Sequence, residues 1–208
     1  MADDYRTTLF CPQLYDITER KRHVVAEILK DHPRAIDMHA YISMTDSSYK
    51  ELFIEVYYSK CAYCGVSIDI IPKNMFEVDH FIYKSSFPKK SEAGYIQNLI
   101  LACYTCNHKK SSLPIPERYR SILHPDECKI NTLFVRDDLF YIRISDENTN
   151  DEVINLFYIQ LGLGEEVRRL DYLLMNMIGL QRKSGISADL YQQLGQVIDL
   201  LRKKRNMT

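Results

Sequence analysis

The sequence of 208 residues lacks any long apolar run. No stretch approaches the roughly 18 consecutive apolar residues that a membrane-spanning helix needs. The beginning of the chain, MADDYRTT, is acidic and polar, and it lacks the apolar segment of a secretory signal peptide. We therefore expect a soluble, cytoplasmic protein that does not contact a membrane.

The chain also lacks a large net charge of either sign. It has 27 Lys and Arg residues against 28 Asp and Glu residues, for a formal net charge of −1. The overall charge therefore does not predict nucleic-acid binding. Residues 60–112 differ, because they include seven lysines, no arginine and four acidic residues, a balance of 7 − 4 = +3. This central segment is positive enough to meet a polyanion.

Six cysteines are present, and four of them form two Cys-x-x-Cys pairs, Cys61 with Cys64 and Cys103 with Cys106. Disulfides are not expected, because the cytosol keeps thiols reduced. Two such pairs, in the turn-like contexts CAYCG and CYTCN, supply the four soft ligands of a tetrahedral zinc site. The pattern predicts a closed structural zinc site without chemistry of its own, and we expect ordinary thiols at Cys11 and Cys128.

The N-terminal region, residues 1–59, is predicted to be helical. One helix is expected to begin with Asp16 as its N-cap and to end before Pro33. A second is expected to begin with a capping box of Ser48 and Glu51, and it leads directly into the first cysteine pair.

Residues 60–116 have a different pattern, with two short predicted strands, MFEVDHF and NLILAC, joined by a polar loop. A short helix is predicted to follow at CNHKKSS and to end before the prolines at 114 and 116.

In residues 117–208 the pattern predicts a hairpin at TLFVRDDLFYIRIS, turning at Asp137-Asp138, and then a helical pair. Its apolar stripes are expected at Leu170, Leu173, Met177, Leu180 and at Leu190, Leu194, Val197, Leu201. The predicted fold class is α+β.

Polar residues suited to catalysis lie within the central region. Asp79 and His80 end the first predicted strand, Asn98 begins the second, and Asn107 directly follows a cysteine. Phosphodiester hydrolysis needs a base for water and a cation to neutralise the phosphoryl group. Neutral imidazole can be that base, and Asp79 with the Asn107 amide oxygen can hold a hard ion such as Mg²⁺.

These segments, CAYCG, VDHF and NLILACYTCNHKKS, resemble the HNH endonuclease family. The family pattern N-L-x-x-x-C-x-x-C-N-x-x-K is satisfied at every fixed place from Asn98 to Lys110. The resemblance implies a ββα-metal core stapled by the zinc site, with Mg²⁺ or Mn²⁺ held by Asp79 and Asn107. It further implies that His80 is the general base and that Asn98 holds the loop and the imidazole. Phosphate contacts are expected of Lys110 and, more weakly, of Lys109 and Lys84.

The sequence departs from the family pattern in two places. The third signature residue is Asn107 rather than histidine, and Tyr83 stands where the family has a proline. The usual Gly-Gly loop is replaced by SSFPKKSEAGY, so the choice of substrate is expected to differ. His108 is expected to be a solvated surface histidine, with an auxiliary contact to the phosphate or the leaving group as the alternative.

The segments ILHPDE, YIRIS and INLFYIQLGLGEEVRRLDYLL resemble the HNH partner of Septu-type and retron-associated bacterial defence systems, a PtuB-like nuclease. This resemblance implies an ABC-type ATPase partner (PtuA-like), joined in retron systems by a reverse transcriptase and its nucleic acid. We therefore expect the C-terminal region to dock a partner. The basic end RKKR is expected to be a solvated tail, with a nucleic-acid contact as the alternative.

Three hypotheses for the function remain open. The chain is a nuclease effector that cuts DNA or tRNA under the control of an ATPase, a nicking or restriction-type DNA endonuclease that acts alone, or a non-catalytic zinc module that binds nucleic acid or a protein. The sequence does not choose DNA over RNA, because the predicted site holds a phosphodiester and reads no 2′-hydroxyl.

Overall fold

The computed structural model describes residues 4–44 and 47–207. Within these residues the fold is α+β, with ten α-helices and two small antiparallel sheets, as the sequence predicts. The N-terminal helices are α1 (Ile17–Asp31), α2 (His39–Ile42) and α3 (Ser48–Val56). No helix among the described residues is both long and apolar enough to cross a membrane.

The two N-terminal helices that were predicted are present. Asp16 occupies the predicted N-cap position of α1 but does not cap the helix with its side chain, and the predicted N-cap of α3 is wrong by one residue. Asp16 has a left-handed backbone, with φ 52°, and its side chain makes no capping hydrogen bond. In α3 the N-cap is Ser47, whose hydroxyl accepts from the Tyr49 amide at 3.2 Å. Ser48 is already helical, so its hydroxyl cannot take the capping position.

The central region contains strand β1 (Phe76–His80), the short helix α4 (Lys90–Ala93), strand β2 (Leu99–Cys103) and helix α5 (Tyr104–Lys110). The strands are antiparallel, and His80 pairs with Leu99 at one end of the sheet. All five residues of β2 are buried because both of its faces are covered. The predicted ββα arrangement is therefore present.

The turn between Cys61 and Val66 attaches to this sheet. The Cys61 amide donates to the Val66 carbonyl, and the Ala62 amide donates to the carbonyl of Leu101, each at 2.8 Å. Gly65 has φ +80°, and a Cβ there would come within 2.5 Å of the Arg6 carbonyl oxygen. Glycine is thus required both for the turn and for the close approach of the N-terminal segment.

The C-terminal region begins with helices α6 (Glu117–Leu123) and α7 (Ile130–Leu133). The predicted hairpin follows as β3 (Phe134–Arg136) and β4 (Ile142–Ile144). Its connection differs from the predicted two-residue turn, because Arg136 pairs with Ile142 and leaves residues 137–141 as the loop. The Asp137 carboxylate holds this loop by accepting from the amides of Leu139 and Tyr141.

Three helices complete the chain: α8 (Glu152–Leu161), α9 (Glu166–Gln181) and α10 (Ala188–Arg205). Helices α9 and α10 form the predicted pair, but the predicted stripes are displaced. The buried apolar rows are Leu170, Leu174, Met175 and Ile178 in α9, and Leu194 and Ile198 in α10. In both helices, further apolar residues lie next to the buried row. The apolar periodicity of the sequence alone therefore could not show which row is buried.

Candidate active site and metal centre

The four cysteines of the two pairs meet at one point. Their sulfur atoms all lie within 4.8 Å of one another, and all four residues are buried. They are free thiols, and the sulfurs of Cys64 and Cys103 are 3.8 Å apart, well beyond a disulfide bond. A compact, closed set of four sulfur donors fits zinc. The chain thus has a four-cysteine cluster that could bind zinc and that joins the first turn to β2 and α5.

Arg168 of α9, a residue not predicted from the sequence, lies directly on this cluster. One guanidinium nitrogen donates to the sulfur of Cys64 at 3.3 Å, and the other donates to the sulfur of Cys106 at the same distance. The side chain is almost fully buried, at 3% exposure. Nothing in the local sequence distinguishes Arg168 from the neighbouring Arg169, because only the fold brings α9 to the cysteines.

His80 ends β1 and is half-buried. Its Nε2 atom is buried and has no hydrogen-bond partner among the residues that the structure describes. Burial, followed by the nearby His39 and Lys84, lowers the pKa of His80 from 6.5 to about 3. The imidazole is therefore neutral at pH 7 and has a nitrogen lone pair or N–H available to a ligand.

His39 is a second histidine at this position, contributed by α2 and not foreseen from the sequence. The rings of His39 and His80 are 4.4 Å apart between centroids and tilted by 38°. Burial lowers the pKa of His39 as well, and its ring hydrogen-bonds the backbone of Val78. The position of His39, about forty residues before His80, gave no sequence signal for this contact.

Asp79 points into the protein on the opposite side of β1 from His80, as successive strand residues do. Its carboxylate accepts from the Tyr63 hydroxyl at 2.7 Å and from the Lys110 ammonium at 3.0 and 3.1 Å. Burial raises the pKa of Asp79, and the positive charge of Lys110 opposes this shift. Three of the roughly four lone-pair positions of the carboxylate are thus in use.

Lys110 is enclosed by these contacts. Its side chain is 1% exposed, and its ammonium also donates to the His80 carbonyl at 2.9 Å. In this position Lys110 holds Asp79 and the end of β1. The phosphate contact expected of Lys110 stays a prediction. Lys109 forms an ion pair with Glu165, whereas Lys84 is exposed next to the end of β1.

Asn98 holds the loop that follows β1. Its Oδ1 accepts from the Ile82 amide at 2.8 Å, and its Nδ2 donates to the carbonyls of Ile82 and Ala93 at 3.0 and 2.8 Å. In addition, the Phe81 amide donates to the Asn98 carbonyl at 2.8 Å. The side chain therefore fixes the backbone two residues after His80.

Asn107 hydrogen-bonds Glu77, a residue absent from the predicted site. Its Nδ2 donates to Glu77 Oε2 at 2.6 Å, and His108 Nε2 lies 3.6 Å from the same oxygen. Glu77 and Asp79 share a face of β1 because they are two residues apart. Asn107 and Asp79 thus lie along one face but bind different partners. Among the described residues, only the four cysteines form a ready-made cluster of three or more ligating Cys, His, Asp or Glu side chains.

The segment ILHPDE braces the site from the other side. His124 packs edge-on against Phe81, with 4.5 Å between ring centroids, and its Nε2 lies 3.0 Å from the Gln97 carbonyl oxygen. Asp126 forms a buried ion pair with Lys21 of α1 at 2.5 Å. The same ammonium donates to the Leu99 carbonyl at 2.6 Å, so the start of β2 is tied to both flanking regions.

Residues 61–113 match the family model described as HNH endonuclease. This segment contains the Asp-His pair, both strands, the helix α5 and all four cysteines. No curated protein matches the chain, and no solved structure matches it either. Residues 61–113 are therefore an HNH endonuclease domain. The chain is an enzyme of the nuclease class, which hydrolyses phosphodiester bonds.

Proposed function

We propose that His80 is the general base of this nuclease and takes a proton from the attacking water. The observation that carries the proposal is the neutral imidazole at the end of β1 with a buried, unpartnered Nε2. A neutral histidine can accept a proton at pH 7, and a substrate phosphate close to the ring would raise its pKa towards that pH. Lys84 is the exposed cation best placed to contact that phosphate.

A divalent ion such as Mg²⁺ or Mn²⁺, when bound, supplies positive charge for the phosphoryl group. The residues present fit such an ion in kind. Glu77 and the Asn107 amide offer the oxygen donors that it takes, and the Asp79 carboxylate has one lone-pair position left beside Tyr63 and Lys110. The hydrogen bond from Asn107 Nδ2 to Glu77 leaves the amide oxygen Oδ1 available. Tyr63 and Lys110 would hold the carboxylate of Asp79 in a fixed orientation.

The test is a cleavage assay on single-stranded DNA, double-stranded DNA and bulk tRNA, with and without Mg²⁺ or Mn²⁺. We expect cleavage of at least one substrate, its loss with chelator, and its loss in Asp79→Asn. Cleavage that proceeds equally well without divalent ions would overturn the metal-dependent mechanism. Nucleic-acid binding without cleavage, insensitive to Asp79→Ala and His80→Ala, would support the non-catalytic zinc module instead.

We further propose that the nuclease is the effector of a bacterial anti-phage defence system and works in the cytoplasm with an ABC-type ATPase (PtuA-like). The resemblance of the C-terminal segments to PtuB-like nucleases supports this proposal. The contacts of His124 and Asp126 also support it. A partner that binds the C-terminal region could shift these residues and, through His124 and Gln97, change the position of the loop held by Asn98. A retron reverse transcriptase and its nucleic acid are further candidate partners.

Co-expression of the tagged chain with an ABC-type ATPase from the same operon tests the partner. We expect a complex that survives size-exclusion chromatography, and cleavage that changes with the ATPase and ATP. A nuclease that cuts with the same rate and specificity whether or not the ATPase is present would favour a stand-alone nicking or restriction-type enzyme.

A further inference from the structure

Arg168 contacts more of the cysteine cluster than any other cation of the described residues. Its two terminal nitrogens reach three sulfurs, those of Cys64 and Cys106 at 3.3 Å and that of Cys103 at 3.9 Å. A planar guanidinium has the fork geometry for this, whereas an ammonium is a single point. One nitrogen also donates to the Leu161 carbonyl at 3.4 Å, and this bond ties the end of α8 to the same group.

Groups of alternating charge lead from the cysteine cluster through α9 to Arg205 in the last turn of α10. Asp171 lies one helical turn after Arg168 in α9 and is 2% exposed. The Arg205 Nε donates to its carboxylate at 2.5 Å from the end of α10. Four thiolates around Zn²⁺ carry a charge of −2, so the order is metal centre, Arg168, Asp171, Arg205, with the sign changing at each step.

The helical pair makes few other contacts with residues 61–113. Leu174, Ile178 and Ile198 form a small apolar cluster that meets the main core through the partly buried Ile70. Further contacts of α9 are made with the hairpin, where Tyr172 meets Arg136 and Phe140. The ion pair of Arg182 with Asp69 is well exposed, and exposed pairs contribute little. A buried guanidinium facing four neutral thiols would lack a counter-charge, which is costly. Facing a zinc tetrathiolate, the same group is paired.

We propose that Arg168 is the outer cation of the zinc centre and that zinc, through Arg168, keeps helices α9 and α10 docked on the nuclease domain. The proposal rests on zinc binding by the four cysteines and not on the identity of the substrate. Zinc binding and the docking of α9 and α10 are two coupled equilibria, and such coupling is reciprocal. Docking through Arg168 therefore raises the affinity for zinc by the same factor by which zinc favours docking. The zinc centre thereby organises the C-terminal region as well as the ββα core.

The experiment uses the full, zinc-loaded chain and two measurements that do not depend on cleavage. The first is the rate of zinc transfer to a chromogenic chelator, and the second is amide hydrogen exchange. Arg168→Met removes the charge but keeps most of the volume, and removal of an outer partner typically weakens metal binding by about 10- to 100-fold. We expect faster zinc release by a comparable factor, and faster exchange in α9 and α10 with unchanged exchange in α1.

Arg202→Met is the matched control, because Arg202 lies on α10, is exposed, and pairs only loosely with Asp199. It should release zinc and exchange amides as the unchanged chain does. If Arg168→Met does not fold, the same two measurements are made on Arg168→Lys. Its ammonium cannot span three sulfurs, so its zinc release should still be faster. Release at the unchanged rate in the folded Arg168 variant, or a purified chain whose cysteines hold no zinc, overturns the proposal.

Discussion

Asn98 makes three side-chain hydrogen bonds that require an amide. One oxygen accepts from the Ile82 amide, and one nitrogen donates to two carbonyls. Leucine or alanine would satisfy none of these groups, and aspartate would place a negative charge against two carbonyl oxygens. The signature asparagine is therefore a clamp on the loop after His80, and we expect any effect of its replacement on catalysis to come from movement of that loop.

We predict that Asn98→Ala lowers the free energy of unfolding by roughly 1–3 kcal/mol, because buried backbone groups lose their partners. Asn98→Asp should be at least as damaging. Denaturant unfolding of zinc-loaded protein measures this, with the exposed Asn74→Ala as the control. An Asn98→Ala midpoint equal to that of the unchanged chain would show that the loop does not depend on the amide.

His39 provides a second test at the residue scale. It packs on His80, and its proximity is one of the causes that lower the pKa of His80. Replacing it with alanine admits water and removes the neighbouring ring, so the pKa of His80 should rise towards its ordinary value. Titration of the imidazole signals by NMR measures the shift, with His23→Ala, an exposed histidine of α1, as the control. An unchanged His80 titration would remove His39 from the site.

At the scale of single elements, the strands and helices were largely predictable because short-range patterns determine them. Strand β1 ends at the predicted Asp-His pair. The predicted short helix is present as α5, but it begins at Tyr104, two residues before the predicted start at Cys106. The errors fall where adjacent residues compete for one role. Ser47 and Ser48 compete for one cap, and α9 has two adjacent apolar rows of which packing buries one.

The cap of α3 gives a prediction with an internal control. Ser47→Ala should lower the free energy of unfolding by about 0.5–2 kcal/mol, because the Tyr49 amide loses its acceptor. The Ser47 hydroxyl also donates to the Tyr41 carbonyl at 3.0 Å, so the loss should not be smaller than a cap alone. Ser48→Ala, one residue along, should change little. Thermal or denaturant unfolding of both variants measures this difference. An equal loss in the free energy of unfolding for the two variants would contradict the assignment of Ser47 as the cap.

At the scale of the whole molecule, the candidate active site is assembled from all three regions of the chain. Short motifs predict its centre, since a metal site and an Asp-His pair have fixed local spacing. The surroundings could not be predicted, because His39, Arg168 and Asp126 reach the site only through the tertiary fold. The motif ILHPDE was noticed in the sequence for its resemblance alone, and the structure gives it a bracing role.

Burial of several histidines makes stability depend on pH. The pKa values of His39, His80 and His124 are all lowered, chiefly by burial. Below about pH 6.5 the unfolded chain binds protons at these residues before the folded chain does. The neutral rings thus make their whole contribution to the free energy of unfolding above pH 6.5. This contribution is lost as the pH falls below 6.5 and through the lowered pKa values of the folded chain, and for His80 this pKa is about 3.

We expect the free energy of unfolding to fall between pH 7.5 and 5.5. Each such histidine contributes a slope of at most about 1.4 kcal/mol per pH unit. Because zinc binding also weakens in acid, the informative quantity is the difference between variants. His124→Gln should have a shallower slope than the unchanged chain, and His23→Ala an equal one. Parallel slopes for His124→Gln and the unchanged chain would contradict the account.

The proposal that matters most for the function is that His80 supplies the base in a nuclease site held in place by the zinc-stapled core. The most direct measurement is the single-turnover cleavage rate of zinc-loaded His80→Ala on the best substrate, beside His108→Ala. General bases typically contribute about 10²- to 10⁴-fold, so His80→Ala should lose at least about 100-fold. His108→Ala, an exposed histidine next to Asn107, should cut at nearly the original rate. A His80→Ala protein that is folded and cuts at the original rate would contradict the claim.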